Sequence, residues 1–360
     1  MSEQACSSNP LSILLFSRGR GFGHAVPDVA IAAVLPKYYP RAAIKFASYA
    51  SGAVALGKLG IPYFDLQVPE VNGYLETLFS ASEIIKLARP DVIVSHEEFG
   101  ALAAAHLHGV PAIFLSDWLP PKNSLGDESL RYCTSIVMME EPGIFEIPRS
   151  CSGKRISYLG PMVRSWKGPQ DARASVRREM NIEDDEYVVV VSPGGWASEV
   201  ETPIFQVVND AFKKIPAANK KLLWVSDKDY DYIKQYGPAQ SHIRAIRFAD
   251  PLTHLLAASD LLITKGTRIT TLEAASLGVR SISLSFGNNP IDDILLSRIR
   301  SNIALNARAI SEDTMFQYMQ QARESAPLPP QTFADENIVA KKLADELQTL
   351  TGSHRGEVSV

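Results

Sequence analysis

From Leu11 onward, short β-branched or apolar runs alternate with longer Ala-rich or amphipathic stretches. Parallel strands joined by crossover helices impose this pattern. Strands are expected at residues 12–16, 44–47, 63–66, 92–95, 112–115, 135–138 and 155–159, with helical stretches such as 26–35 and 102–108 between them. The periodicity lapses from Gly160-Pro161 to Gly168-Pro169, around a lone Trp166, and Gly and Pro clusters of this kind mark linkers. It resumes with a nearly continuous valine run at 187–191, suited to a strand buried on both faces, and repeats at 222–225, 243–246, 261–264 and 281–284. The expectation is an α/β protein of two Rossmann-like, doubly wound domains, 1–163 and 164–360, facing each other across a cleft. The second carries an amphipathic helix over about 334–347 and a tail, 352–360, expected to be disordered because it has no periodic core residues.

Bulk properties narrow the partners. A chain of 360 residues exceeds what one hydrophobic core usually supports. No apolar run reaches the roughly 18–20 residues of a membrane span, and the polar start before Leu11 lacks a secretory pattern, so a cytoplasmic location is expected. The net charge of −4 comes without a basic block, which argues against nucleic acid as partner. Cys6, Cys133 and Cys151 have neither metal-ligand spacing nor a disulfide framework.

Each half runs from its first strand into a glycine-rich loop: Ser17-Arg-Gly-Arg-Gly21-Phe-Gly23-His24 and Ser192-Pro-Gly194-Gly195-Trp196. Glycines let the backbone approach a ligand, and a following helix N-terminus favours negative charge. The first spacing departs from G-x-G-x-x-G, and the second strand ends in Ala47-Ser48 with no acid to hold a ribose, which counts against a nicotinamide dehydrogenase. His24 follows the loop where an imidazole can take a proton from an acceptor hydroxyl. A general base needs an orienting group, and Glu97 or Glu98, just past the strand at 92–95, stands at the same sheet edge; both acids would equally suit a helix start. His106 and His108 lie on a helix, and His242 and His254 read as surface or capping positions. Asp184-Asp185 reads as a solvated turn, and no metal is expected.

The second informative stretch runs from 248 to 293. Asp260-Leu-Leu-Ile-Thr264 is a strand, and Lys265-Gly266-Thr267-Arg268 leads into a helix carrying Thr270, Thr271 and Glu273. A diphosphate there would meet free backbone N–H groups, the hydroxyl of Thr267 or Thr271, and the charge of Lys265 or Arg268. Glu273, among Leu272, Ala274 and Ala275, is a carboxylate on an apolar helix and needs a partner; vicinal ribose hydroxyls would supply one.

These residues resemble the glycosyltransferases of GT-B fold, especially the group of MurG, the macrolide glycosyltransferases and the plant UDP-glucosyltransferases, over nearly the whole chain. The likeness rests on Gly23-His24 with Pro27, on Gly194-Gly195, and on Phe248, Asp260-Leu-Leu-Ile, Gly266, Thr270-Thr-Leu-Glu273 and Leu277-Gly278. The resemblance implies that Phe248 borders the base, the Gly266 turn binds diphosphate, Glu273 binds ribose, and His24 is the general base of an inverting transfer. It implies a nucleotide-sugar donor, UDP-linked, a small-molecule or lipid acceptor, and no cofactor or metal. The chain departs from the family at Val279-Arg280, where relatives have Pro after the Leu-Gly pair, at Lys265-Gly266, and at Asn288-Asn-Pro-Ile-Asp292-Asp293, whose two acids could hold donor-sugar hydroxyls. Two alternatives share the architecture: a UDP-sugar 2-epimerase, whose signature lacks the Gly-His-x-x-Pro loop, and a nucleotide-sugar-binding protein without activity. Loops 68–74 and 118–126, rich in Pro, Trp and Leu, offer an apolar lining for the acceptor.

Overall fold

The structure is a computed structural model that describes residues 10–69, 73–165, 172–193, 202–216, 219–226, 230–236, 242–266, 268–285 and 290–353. The chain begins β1 Leu11–Ser17, α1 Ala25–Val34, β2 Ala42–Ser48, α2 Ala50–Lys58, β3 Tyr63–Asp65, α3 Tyr74–Ala88, β4 Val92–His96, α4 Phe99–Leu107, β5 Ala112–Ser116, α5 Leu125–Leu130, β6 Ser135–Met138 and β7 Arg155–Tyr158. It continues α6 Ala172–Glu179, β8 Tyr187–Ser192, α7 Thr202–Lys214, β9 Lys220–Val225, α8 Tyr230–Tyr236, β10 Ile243–Ile246, α9 Leu252–Ala258, β11 Leu261–Thr264, α10 Arg268–Ser276, β12 Arg280–Ser285, α11 Pro290–Ser297, β13 Asn302–Asn306, α12 Glu312–Glu324 and α13 Glu336–Ser353.

Two sheets form, ordered β3-β2-β1-β4-β5-β6-β7 and β10-β9-β8-β11-β12-β13, and every strand pairing in them is parallel. Burial on both faces explains the apolar runs. In the first sheet Leu14, Phe16, Ile93 and Phe114 enter one core, while their neighbours Ile13, Leu15, Val92, Val94 and Ile113 enter the other, as the two-residue period of a strand requires.

The order is the same in both sheets, and so is the device that sets its register. Asp91, just before β4, accepts the Ser12 N–H at 2.7 Å and donates its own N–H to the Ser12 carbonyl at 2.8 Å. Asp260, just before β11, does the same with Val188, at 2.7 and 2.8 Å. Each aspartate thus ties the first strand of its sheet to the fourth at their amino ends. That tie fixes how the two strands finish at their carboxyl ends, where Ser17 stands beside His96 and Ser192 beside Thr264. The crevice outside a doubly wound sheet opens between these two strands, at the point where the order reverses.

The expected boundary between 163 and 164 falls one residue later, but the assignment of everything beyond it to a second domain is corrected. One compact unit comprises Met1–Arg164 together with Ala334–Val360, and the other Ser165–Phe333. α13 buries Val339, Ala340, Leu343, Ala344, Leu347 and Leu350 against Ile13, Leu15, Ile31 and Val34 of the first unit. Ala334 bridges to Met162, and the Arg155 guanidinium pairs with the buried Glu346 carboxylate. An amphipathic stripe declares that a helix buries one face, not which surface receives it. A further strand, β13, was not expected: Asn302-Ile-Ala-Leu-Asn306 has two asparagines and a part-exposed edge position, so its only clear marker is its pairing with β12. Of the tail, residues 352 and 353 continue α13 and 354–360 lie outside the described residues, as do 166–169 of the expected linker. Among the described residues no helix is long and apolar enough to cross a membrane.

Because Leu347 is fully buried in the first unit's core, truncating it leaves a cavity there. Leu347→Ala is expected to cost about 2–5 kcal/mol, read as a lowered urea midpoint. An effect within experimental error would contradict the packing of α13 on the first sheet.

Candidate active site

At the carboxyl edge of the first sheet, polar side chains converge from several elements. Ser17 ends β1 and Arg18 follows it, His24 precedes α1, His96 ends β4 with Glu97 and Glu98 immediately after, and Ser116 ends β5. The glycine loop supplies the bends: Gly21 has φ +67°, a region open to glycine at no steric cost. A Cβ on Gly19 would lie 2.5 Å from the Tyr49 ring, so that position admits only hydrogen.

Glu97 is the hub. Its backbone is left-handed, φ +57°, which for a glutamate costs on the order of 1–3 kcal/mol and persists only where surrounding structure over-determines it. The surroundings do so. Its N–H donates to the Leu115 carbonyl at 3.2 Å. Oε1 accepts from the Ser116 hydroxyl at 2.9 Å and the Asp117 N–H at 3.3 Å. Oε2 lies 2.9 Å from His24 Nε2 and 3.4 Å from the Arg18 guanidinium. Burial alone would raise this carboxyl's pKa, but the His24 imidazole's charge and hydrogen bond, helped by Asp117 and His96, hold it well below the ordinary carboxylate range.

His24 therefore has its orienting acid. With Nε2–H donating to the carboxylate, the lone pair belongs to Nδ1, and that buried atom has no hydrogen-bond partner. The imidazole itself is 17% exposed. An imidazole oriented by a carboxylate on one nitrogen and unpartnered on the other is the arrangement a general base requires. Of the two acids left open by sequence, Glu97 meets His24. Glu98 instead accepts the Tyr49 hydroxyl at 2.9 Å, and burial pushes its pKa up.

A second carboxylate–imidazole pair lies against the first. His96 Nδ1 is 2.8 Å from Asp28 Oδ1, the Ser17 hydroxyl donates to Asp28 Oδ2, and the His96 and His24 rings meet edge-on with centroids 4.7 Å apart. Asp28 is 0% and His96 2% exposed. Burial would lower the His96 pKa, but the charge and hydrogen bond of Asp28, with Glu97 and Asp117 beyond, raise it. Sequence reasoning missed both residues. The available signal was an aspartate one helical turn past His24 in the otherwise apolar α1, where an unpaired carboxylate would be costly. On the rim, the Arg18 guanidinium lies 5.9 Å from the Trp118 ring and 6.0 Å from Phe99.

In the second unit, Lys265 and Gly266 follow β11, Gly266 adopts φ +55°, and α10 begins at Arg268. Glu273 and Thr271 are 1% and 0% exposed and Arg268 8%, so Glu273 is not a solvated helix residue. Phe248 is half-buried near α9. Phe248, Lys265, Arg268, Thr271 and Glu273 each already engage a neighbour. Asp293 accepts the Ser285 hydroxyl at 2.6 Å. Gly194, Gly195 and Thr267 lie outside the described residues, as does the side chain of Asp292. Asp260, at the head of the Asp-Leu-Leu-Ile run, is structural: besides Val188 it engages Arg173.

No protein-family model matches the chain. Among curated proteins it is 26% identical over 246 residues, 64% of this chain and 68% of the relative, to an uncharacterized glycosyltransferase of Methanopyrus kandleri. It is 22% identical, over 76% of this chain and 77% of the relative, to the UDP-N-acetylglucosamine--N-acetylmuramyl-(pentapeptide) pyrophosphoryl-undecaprenol N-acetylglucosamine transferase of Carboxydothermus hydrogenoformans. Among solved structures, Acinetobacter baumannii MurG superposes with TM-score 0.60 at 15% identity, covering 94% of this chain and 100% of that one. A UDP-GlcNAc 2-epimerase from Methanocaldococcus jannaschii superposes with TM-score 0.62 at 13% identity, covering 94% and 99%. The chain has the GT-B fold. In sequence it resembles the MurG-like glycosyltransferases of that fold.

Glu97 and Glu98 should respond oppositely to pH. Ionised Glu97 sits below its unfolded pKa, so its stabilisation is present above the ordinary carboxylate range and lost as pH falls through the depressed value. Glu98, raised, contributes fully below its unfolded pKa and loses that contribution as pH rises through the raised value. In urea unfolding between about pH 3 and 8, Glu97→Gln is expected to be more destabilising at neutral than at acid pH, and Glu98→Gln less so. The same trend in both variants would refute the assignment.

Proposed function

We propose that this protein is a glycosyltransferase that moves a sugar from a nucleotide-diphosphate donor, UDP-linked, to an acceptor hydroxyl with inversion and without need of a metal. The observation that carries the reading is the His24–Glu97 pair: a carboxylate-oriented imidazole with a free Nδ1 at the switch point of the first sheet. His24 Nδ1 takes the acceptor proton as that oxygen attacks the anomeric carbon from the side opposite the nucleotide. Glu97 stabilises the imidazolium that results. The departing diphosphate is received by the N-terminus of α10 with Lys265 or Arg268, fixed charge that can do the work of a divalent ion. Glu273 holds the ribose hydroxyls, Phe248 borders the base, Gly21, Gly23, Gly194 and Gly195 admit the donor closely, Thr267 or Thr271 adds a hydroxyl, and Asp292 and Asp293 meet the sugar. The acceptor is a small molecule or a lipid; the name of the Carboxydothermus relative, a transferase to an undecaprenol-linked acceptor, supports the lipid side.

A UDP-sugar 2-epimerase is the second reading, favoured by the epimerase of equal structural likeness. An epimerase needs no acceptor, the Gly23-His24-x-x-Pro27 loop that its signature lacks counts for transfer, and the two differ in product: a new glycoside against an isomerised sugar nucleotide.

His24→Ala is expected to lower transfer by about 10²–10⁴-fold while leaving UDP affinity in EDTA unchanged, measured by calorimetry. Glu273→Gln should weaken UDP binding. Undiminished transfer by His24→Ala would dismiss the proposed base. Product NMR should show the anomeric configuration inverted.

A further inference from the structure

The cluster at the first sheet's edge also has the composition of a transition-metal site. One nitrogen of His24, one of His96 and one carboxylate oxygen of Glu97 all lie within 4.8 Å of one another. Around zinc, with bonds of about 2.0–2.2 Å, neighbouring tetrahedral ligand atoms stand roughly 3.4 Å apart. The 2.9 Å contact between His24 and Glu97 is thus already near one coordination edge, and no pair of the three ligand atoms is more than 4.8 Å apart.

We propose that His24, His96 and Glu97 bind a divalent transition metal of the zinc class, and that the bound ion silences the base.

Three features favour a ligand set over a chance cluster. Metal-binding histidines donate their second N–H to a carboxylate, which fixes the tautomer and the ring. His96 does this with Asp28 at 2.8 Å, and Asp28 is held in turn by Ser17, so Nε2 is the nitrogen through which a neutral His96 ligates. The transfer proposed above makes no use of this second pair. His24 contributes Nε2, already 2.9 Å from Glu97, and Glu97 contributes a 3%-exposed carboxylate. Two imidazoles with one carboxylate suit Zn²⁺, Ni²⁺ or Cu²⁺; Mg²⁺ and Ca²⁺ take oxygen ligands. Binding through His24 Nε2 moves the proton that His24 and Glu97 share to His24 Nδ1, so the imidazole stays neutral and Nδ1 no longer carries the lone pair that the base needs. Arg18, 3.4 Å from Glu97, opposes a second positive charge and keeps the affinity below that of a structural zinc site.

The test is calorimetric titration of the full chain, stripped of metal, with ZnCl₂ and separately with MgCl₂. Wild type is expected to take up one Zn²⁺ and no Mg²⁺. His96→Gln and His24→Gln should each lose most of the Zn²⁺ affinity, and Asp28→Asn should weaken it about 10–100-fold, with the fold of each checked by circular dichroism. Should a variant not fold, a Co²⁺ titration of wild type still decides, because low-symmetry imidazole–carboxylate ligation gives visible absorption far more intense than the weak band of hexaaqua Co²⁺. No Zn²⁺ uptake by wild type, or uptake unchanged in both folded histidine variants, would overturn the site. The silencing rests on the transferase reading; the binding does not. Zn²⁺ bound by a chain without transfer activity would sink that reading and keep the site, whereas transfer unaffected by Zn²⁺ at concentrations that saturate the calorimetric site would sink the silencing alone.

Discussion

The edge of the first sheet depends on one buried charge. A carboxylate taken out of water is tolerable only if its lone pairs are occupied and positive charge stands close, and Glu97 satisfies both conditions through the Ser116 hydroxyl, the Asp117 N–H, Arg18 and His24. Those partners come from β1, the loop before α1 and the end of β5, so the carboxylate can be paired only when three neighbouring strands finish at matching heights. The Asp91–Ser12 tie at the far end of the same strands is what holds that alignment between β1 and β4. The positive φ of Glu97 is the local cost of turning its side chain back over the sheet edge toward His24.

The two imidazoles, 4.7 Å apart, illustrate how environment divides labour between like groups. His96 is sealed beneath the loop with its carboxylate partner inside α1, while His24 is partly open. The first can position, charge or ligate but scarcely meets solvent. The second can exchange a proton with something arriving from outside.

Much of the architecture was legible because strand burial leaves a crude signal. The valine run of β8 and the apolar triplets of β4, β5 and β11 sit where expected, since a strand covered on both faces must be apolar throughout. β13 was illegible because Asn302 and Asn306 occupy its ends and leave only Ile303, Ala304 and Leu305 to carry an apolar signal, so its pairing defines it. The docking of α13 was illegible for a different reason: the stripe of Val339, Leu343 and Leu347 would fit any apolar surface, and the choice is made by the space that β1 and α1 leave open. At the site, His24 and its acid were readable from a glycine loop and a strand end, but the choice of Glu97 over Glu98 turned on one backbone dihedral. Asp28 and His96 escaped because their meaning lies in their meeting across 68 residues of chain.

The return of α13 to the first unit makes the second unit, Ser165–Phe333, an insertion within the first. On the ribosome the chain emerges from its amino end, so the seven strands of the first sheet are synthesised well before the helix that seals one of their faces. The inserted unit has all of its own strands in hand earlier, and domains generally fold as units during synthesis. The first unit to be made is therefore the last to be completed. Until α13 emerges, the apolar surface around Ile13, Leu15, Ile31 and Val34 awaits its cover, and the closing contacts join residues more than three hundred positions apart, the kind of long-range closure that slows folding.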